Sequence, residues 1–422
     1  MRIPAFRTAV LASVVIGHPP PAAAQVDQQR AQEYFKEAQA LCERDGGRMW
    51  GISLCGPMVI ADAVTGTIAT SQPAPPGDRP RGIGFLNAPV QWGGVTWAAY
   101  NWRMLIHDDQ VARGRMLMHE LFHGLVQPPL GLRRSGPEDI HLASLDGRYW
   151  MRLEMRALAG ALRSSGAART AAIADVLAFR AARHQRFPNA GAAEQAIDMN
   201  EGVATYAGYA LASQNLQDDI RDAIASMTAA EVADDSFVRT YAYSSGAPYG
   251  LLLDALSPGW HRTLTATSDL GRLLAAAAGV TALPDAATAA TRYGGAQIRA
   301  NEERRERAQQ AAIDAQRRRF VDGPVLVVPR AGSGSINNLG TIVIPGVGTV
   351  FPAMANKGAW GFFSATAGAM ITADGETISL PAPVVVDATT LRGDGWTATV
   401  GPGWVVREGA RRGDYEVVRQ QQ

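Results

Sequence analysis

The chain has 422 residues, with 40 Lys+Arg against 39 Asp+Glu and a formal net charge of +1. That balance excludes the basic footprint of a nucleic-acid or anionic-membrane binder. The length suffices for two or three domains and a sizeable core.

Residues 1–24 read as a secretory signal: Arg2 and Arg7 precede a short apolar run, and Ala22-Ala23-Ala24 forms a cleavage site before Gln25. No later apolar stretch is long enough for a membrane span. The expectation is an exported protein, secreted or periplasmic. Its two cysteines, Cys42 and Cys55, then most simply form one disulfide closing a small loop.

Residues 25–105 are expected to form a helix and a small β-sheet. The helix covers 27–44, with an apolar stripe through Ala31, Tyr34, Phe35 and Ala38. Strand-like runs follow at 49–54, 58–61, 66–70 and 90–100, with turns at Gly56-Pro57 and Thr65-Gly66. Residues 106–320 read as helical, beginning at an acidic cap near Asp108-Asp109. Helical spacing predicts helices at 146–162, 170–186, 192–212, 219–226, 236–256 and 269–278. The mixed charges of 301–319 read as a solvated linking helix. From 321 to 422, short runs separated by Gly, Pro and Asn-Asn turns predict an all-β sandwich or barrel, with a positioning, capping or partner-binding role. The fold class is therefore α+β.

Within the helical region, residues 116–125 contain the pattern H-E-x-x-H as His119, Glu120 and His123. Positions four apart lie on one helix face, so both imidazoles can reach one metal ion. Glu120 stands where it can hold a water that the metal polarises. Two neutral nitrogens, a third protein ligand and an open position suit Zn²⁺. A chance match to so short a pattern is the competing reading. His107, His141, His184 and His261 lack ligand-like spacing and read as structural or solvent-exposed.

Downstream, Asn200-Glu201-Gly202-Val203-Ala204-Thr205-Tyr206 opens an apolar helix, and Tyr243-Ser244-Ser245-Gly246-Ala247 lies further on. The first resembles the second ligand motif of gluzincin metallopeptidases, particularly the aminopeptidase-N-like family. The second resembles that family's Y-x-K-G-A segment. The resemblance, covering roughly residues 90–256, implies a zincin catalytic domain. It implies Glu201 as third zinc ligand and Tyr243 as the residue that stabilises the oxyanion. Tyr241 and Tyr249 are rivals for that position. Glu201 lies 78 residues beyond His123, further than in the family. Glu154 is therefore a rival ligand, at a spacing closer to thermolysin-like or clostridial-toxin-like enzymes; the matching flanks favour Glu201. Where the family carries G-x-M-E-N, this chain has Gly93-Gly94-Val95-Thr96-Trp97. Thr96 replaces the amine-binding Glu, and a neutral hydroxyl cannot pair with an ammonium as a carboxylate does.

The expected function is an exported zinc metallopeptidase acting on a peptide or protein, with His119, His123 and Glu201 on Zn²⁺. The alternatives are a zinc-containing, non-proteolytic binding or scaffold protein, and a metal hydrolase of non-peptide amides or esters.

Overall fold

The computed structural model describes residues 25–233, 236–387 and 389–420. The expected signal segment lies outside the described residues. The chain divides into two compact units at Arg299 and Ala300. The 25–105 segment thus belongs to the same unit as the helices after it.

In the first unit, α1 (Gln28–Asp45) is capped by the Asp27 carboxylate, which accepts from the Arg30 amide. Its stripe of Ala31, Tyr34, Phe35, Ala38 and Cys42 is buried. Cys42 and Cys55 form a disulfide. The expected strand at 49–54 is absent. There the Gly47 and Met49 amides donate to the Asp45 carboxylate at 3.0 and 3.1 Å, which turns the chain tightly. Trp50 instead packs its ring on Phe122, 4.9 Å between centroids.

Four strands follow: β1 (Met58–Ala61), β2 (Ile68–Thr70), β3 (Ala88–Trp92) and β4 (Val95–Asn101), in spatial order β2-β1-β4-β3. β1 runs parallel to β4 with Val59 opposite Ala99; the other pairs are antiparallel. The single strand expected over 90–100 is a hairpin. Gly93 and Gly94 both take positive φ, 59° and 77°, the conformation a two-residue hairpin turn requires. Tyr100, buried in β4, donates its hydroxyl to the Leu117 carbonyl at 2.8 Å and joins the sheet to the next helix.

That helix is α2 (Gln110–Leu121), capped by Asp109. α3 (Leu145–Arg163) and α4 (Gly166–Arg186) form a tight hairpin. The helix expected over 192–212 consists of α5 (Ala190–Ile197) and α6 (Val203–Ala212), joined by a π-helical turn at Asp198–Gly202. α7 (Leu216–Ala233), α8 (Ala242–Leu256) and α9 (Leu270–Ala278) follow, then α10 (Ala286–Arg292), which periodicity missed because it is short and alanine-rich. α11 (Gly295–Arg317) crosses the division between units. Its charged residues are largely exposed, as expected, apart from buried Glu302. No helix among the described residues is long and apolar enough to cross a membrane.

Beyond α11 and a π-helical turn at Arg318–Asp322, the second unit is an all-β region of two sheets, one of six strands and one of seven. Their inner faces share one core, with Leu326, Val328 and Leu380 meeting Phe363, Leu391 and Trp396. It is a sandwich, and alternation is clear in Trp396–Val400, where every second residue is buried. Its strands include Ser333–Ile336, Met354–Gly358, Thr390–Gly393 and Trp404–Glu408. Ser333–Ile336 is exposed throughout, so burial imposes no alternation on it.

Candidate metal centre

α2 buries Leu117, Met118 and Leu121 and continues into a π-helical turn at Phe122–Val126. The Gln127 amide accordingly reaches back to the Phe122 carbonyl, at 2.9 Å. His119 and Glu120 lie on the regular helix and His123 on this turn. Glu201 also lies on a π-helical turn, at Asp198–Gly202. Such one-residue insertions reorient side chains and recur at functional sites.

Two glycine contacts bring the elements together. A Cβ at Gly208 on α6 would strike the Arg115 carbonyl of α2 at 2.5 Å, so only glycine permits this approach. A Cβ at Gly246 on α8 would overlap the Gly202 carbonyl, so the two backbones touch there. Gly202 follows Glu201 and Gly246 lies three residues after Tyr243. The crossing sets the two segments side by side.

His119 Nε2 and His123 Nε2 are 2.9 Å apart. Glu201 Oε2 lies 3.4 Å from the first and 3.2 Å from the second. Among the described residues these are the one group of His, Cys, Asp and Glu side chains converging as a metal would need. Gln127, buried, meets His123 Nδ1 through Oε1 at 2.9 Å and donates to the Met199 and Asn200 carbonyls at 3.1 and 3.0 Å. An amide oxygen there requires the proton on Nδ1, so in the neutral ring the Nε2 lone pair faces Glu201. Thr205 Oγ1 lies 3.5 Å from His119 Nδ1.

Burial lowers the pKa of His119. Burial also opposes charge on His123, but the Glu201 carboxylate outweighs it and raises that pKa. Glu201 is itself desolvated, yet the two imidazoles hold its carboxyl well below the usual range. Burial pushes Glu120 up to about 7. Tyr243 stacks beside His119, 5.7 Å between ring centroids, and burial followed by the Glu201 charge raises its hydroxyl pKa.

The rivals sit elsewhere. Glu154 accepts from Arg183 at 2.6 Å and from the Tyr249 hydroxyl at 2.8 Å in the core. Tyr241 donates to Asp198 and to the Glu194 carbonyl, at 2.9 and 2.8 Å. His141 and His184 both pair with Glu194, and His107 bridges Tyr34 and the Trp102 carbonyl. Thr96 lies against Gly124, the neighbour of His123, and its hydroxyl pairs with Gln91 at 2.6 Å.

A cavity of about 450 Å³ opens beside His119, Glu120 and Tyr243. Gln127 and Thr205 escaped sequence reasoning. The available signal was spacing, since Gln127 stands four residues after His123 on the same helical face. The donor set, two imidazole nitrogens and one carboxylate oxygen beside a buried Glu and an open cavity, is chemically suited to Zn²⁺ and to hydrolysis. Comparison of the chain with protein-family models, curated proteins and solved structures finds no match.

Proposed function

We propose that this chain is an exported zinc-dependent metallopeptidase of the gluzincin kind, hydrolysing peptide bonds. The observation that carries the reading is the convergence of His119 Nε2, His123 Nε2 and Glu201 Oε2, with Glu120 and Tyr243 at the same cavity. His119, His123 and Glu201 would hold the ion. When bound, Zn²⁺ supplies Lewis acidity, bringing the pKa of a water toward about 7. Glu120 takes the proton from the attacking water and delivers it to the leaving amine. The Tyr243 hydroxyl donates to the developing oxyanion. Gln127 keeps the His123 proton on Nδ1 and so keeps Nε2 free to bind. The Cys42–Cys55 disulfide supports an oxidising compartment, secreted or periplasmic. The sheet leading into the α2 helix supports a zincin arrangement.

Glu120→Gln is expected to retain zinc and lose peptide hydrolysis by at least about 100-fold, the usual scale of a general base. Chelation should abolish the wild-type activity and zinc should restore it. Full activity in Glu120→Gln, or unchanged zinc content in Glu201→Ala, overturns the reading. Zinc binding without cleavage of casein or a peptide library returns the non-proteolytic alternative.

A further inference from the structure

A second cavity in the first unit, of about 620 Å³, opens between α4, α5 and the start of α9. It shares no lining residue with the cavity at the candidate metal centre. Arg134, Arg180 and Arg272 line it. Arg180 is committed elsewhere: it holds Asp198 at 2.6 Å and lies 3.6 and 3.7 Å from Glu154 and Glu194. Arg134 and Arg272 are not. The Arg134 guanidinium donates to the Ala266 carbonyl at 3.1 Å, Arg272 is exposed, and neither forms an ion pair among the described residues. The carboxylate in the lining is Asp269, whose Oδ1 accepts from the Arg272 amide as the cap of α9. Two uncommitted cations therefore face one carboxylate already in use.

Much of the remaining wall is apolar, with Leu177, Ala181, Ala275 and a 47% exposed Leu283. One acceptor stands open among these. His184 Nε2 faces the Glu194 carboxylate at 2.9 Å, which keeps a proton there and leaves Nδ1 as an acceptor. A Cβ at Gly191 would come within 3.3 Å of that nitrogen, so glycine leaves it uncovered. Guanidinium groups recognise a carboxylate through paired N–H donors. Apolar walls with a few convergent polar groups are the usual make-up of a small-molecule site.

The cavity is also joined to the turn that carries Glu201. The Arg134 amide donates to Asn200 Oδ1 at 2.9 Å, and its carbonyl accepts from Asn200 Nδ2 at 2.7 Å. Arg180 grips Asp198 at the start of the same turn.

We propose that this cavity is a second ligand site, taking a small organic carboxylate with an apolar body, and that its occupancy alters metal affinity through Asn200 and Asp198. Arg134 and Arg272 bind the carboxylate, and the Leu177–Leu283 wall takes the apolar body. The site does not depend on the peptidase reading; its linkage rests on the metal centre.

Calorimetric titration of the zinc-loaded full chain tests it, at constant ionic strength, with N-acetylphenylalanine, its uncharged amide and inorganic phosphate. The carboxylate should bind about 10-fold or more tighter than the amide, the scale of one hydrogen bond to a charged group. It should also bind tighter than phosphate, which gains nothing from the apolar wall. Arg134→Gln and Arg272→Gln should each weaken it by about the same 10-fold factor. Arg272→Gln changes an exposed side chain and should leave Tm unmoved, so a loss of binding there is not a loss of fold. Equal binding of acid and amide overturns the site, and tighter binding of phosphate overturns the ligand class. Binding that disappears with the zinc and is unmoved by both variants puts the carboxylate on the metal and also overturns the site. Zinc affinity with and without saturating N-acetylphenylalanine should differ at least about fivefold, and zinc should change the affinity for the carboxylate by the same factor. Equal zinc affinity overturns the linkage and leaves the site standing. Arginine-dependent binding in a chain that takes no zinc overturns the metal reading and not the site.

Discussion

Gln127 touches the His123 ring and the two carbonyls preceding Glu201, so one side chain orients two of the three converging groups. Gln127→Ala is expected to weaken zinc binding about 10- to 100-fold, the usual cost of losing an outer partner of a metal-binding histidine. Competition with a chromogenic chelator measures it, and unchanged affinity would remove Gln127 from the site. Tyr243→Phe separates a different effect. Removing a donor to the developing oxyanion should lower kcat about 100-fold while zinc content and KM stay near wild type. His119, Glu120 and His123 were legible in the sequence because residues four apart share a helical face. Glu201 was legible only through its Asn-Glu-Gly neighbours, and Gln127 was not singled out because a glutamine at a helix end resembles any solvated residue.

At the scale of elements, the π-helical turn that carries Glu201 is held from both sides. On one side Gly202 meets Gly246 backbone to backbone. Gly246→Ala should force α8 away, cost about 1–3 kcal/mol as overpacking does, and reduce hydrolysis with it. Urea denaturation and a peptide assay on the same sample test both. On the other side is a buried ionic cluster. Arg183 bridges Glu154 and Glu194 at 2.6 Å each, and Arg180 holds Asp198 at 2.6 Å, three residues before Glu201. Arg183→Met leaves Glu154 and Glu194 to the more distant Arg180, at 3.6 and 3.7 Å, and should cost about 3–5 kcal/mol. A loss below about 1 kcal/mol by the same denaturation, the value of a surface pair, would show that the cluster relaxes on losing its centre. Helix positions were read well from apolar spacing. The π-helical turns were not, because one inserted residue barely disturbs the periodicity of a 20-residue window, to the order such windows resolve.

At the scale of the whole molecule, the candidate centre lies within the first of the two units, and the second contributes none of the converging groups. The disulfide belongs to the first unit as well. It ties the end of α1 to the segment before β1, over a sequence separation of 13. Reduction should lower stability by about 3 kcal/mol, the chain-entropy value for a loop of this size. A fall in Tm on adding a reductant, absent in a Cys42→Ala/Cys55→Ala double variant, checks it.

The α+β class, the order of helices before a β region, the single disulfide pair and the His-Glu-x-x-His face all follow from the sequence alone. They depend on local periodicity, turn residues and cysteine count, which a linear reading contains. Only the tertiary structure shows that Glu201, not Glu154, lies beside the two histidines, and that Tyr243, not Tyr241 or Tyr249, lines the cavity there. Each is an acid or a phenol in an apolar helix, so residue type and spacing do not separate them, and only the Asn-Glu-Gly flanks favoured Glu201. What separates them is which backbones approach closely enough to touch. The glycine contacts at Gly202, Gly208 and Gly246 draw Glu201 and Tyr243 to the histidines, while Glu154, Tyr241 and Tyr249 pack into the ionic core.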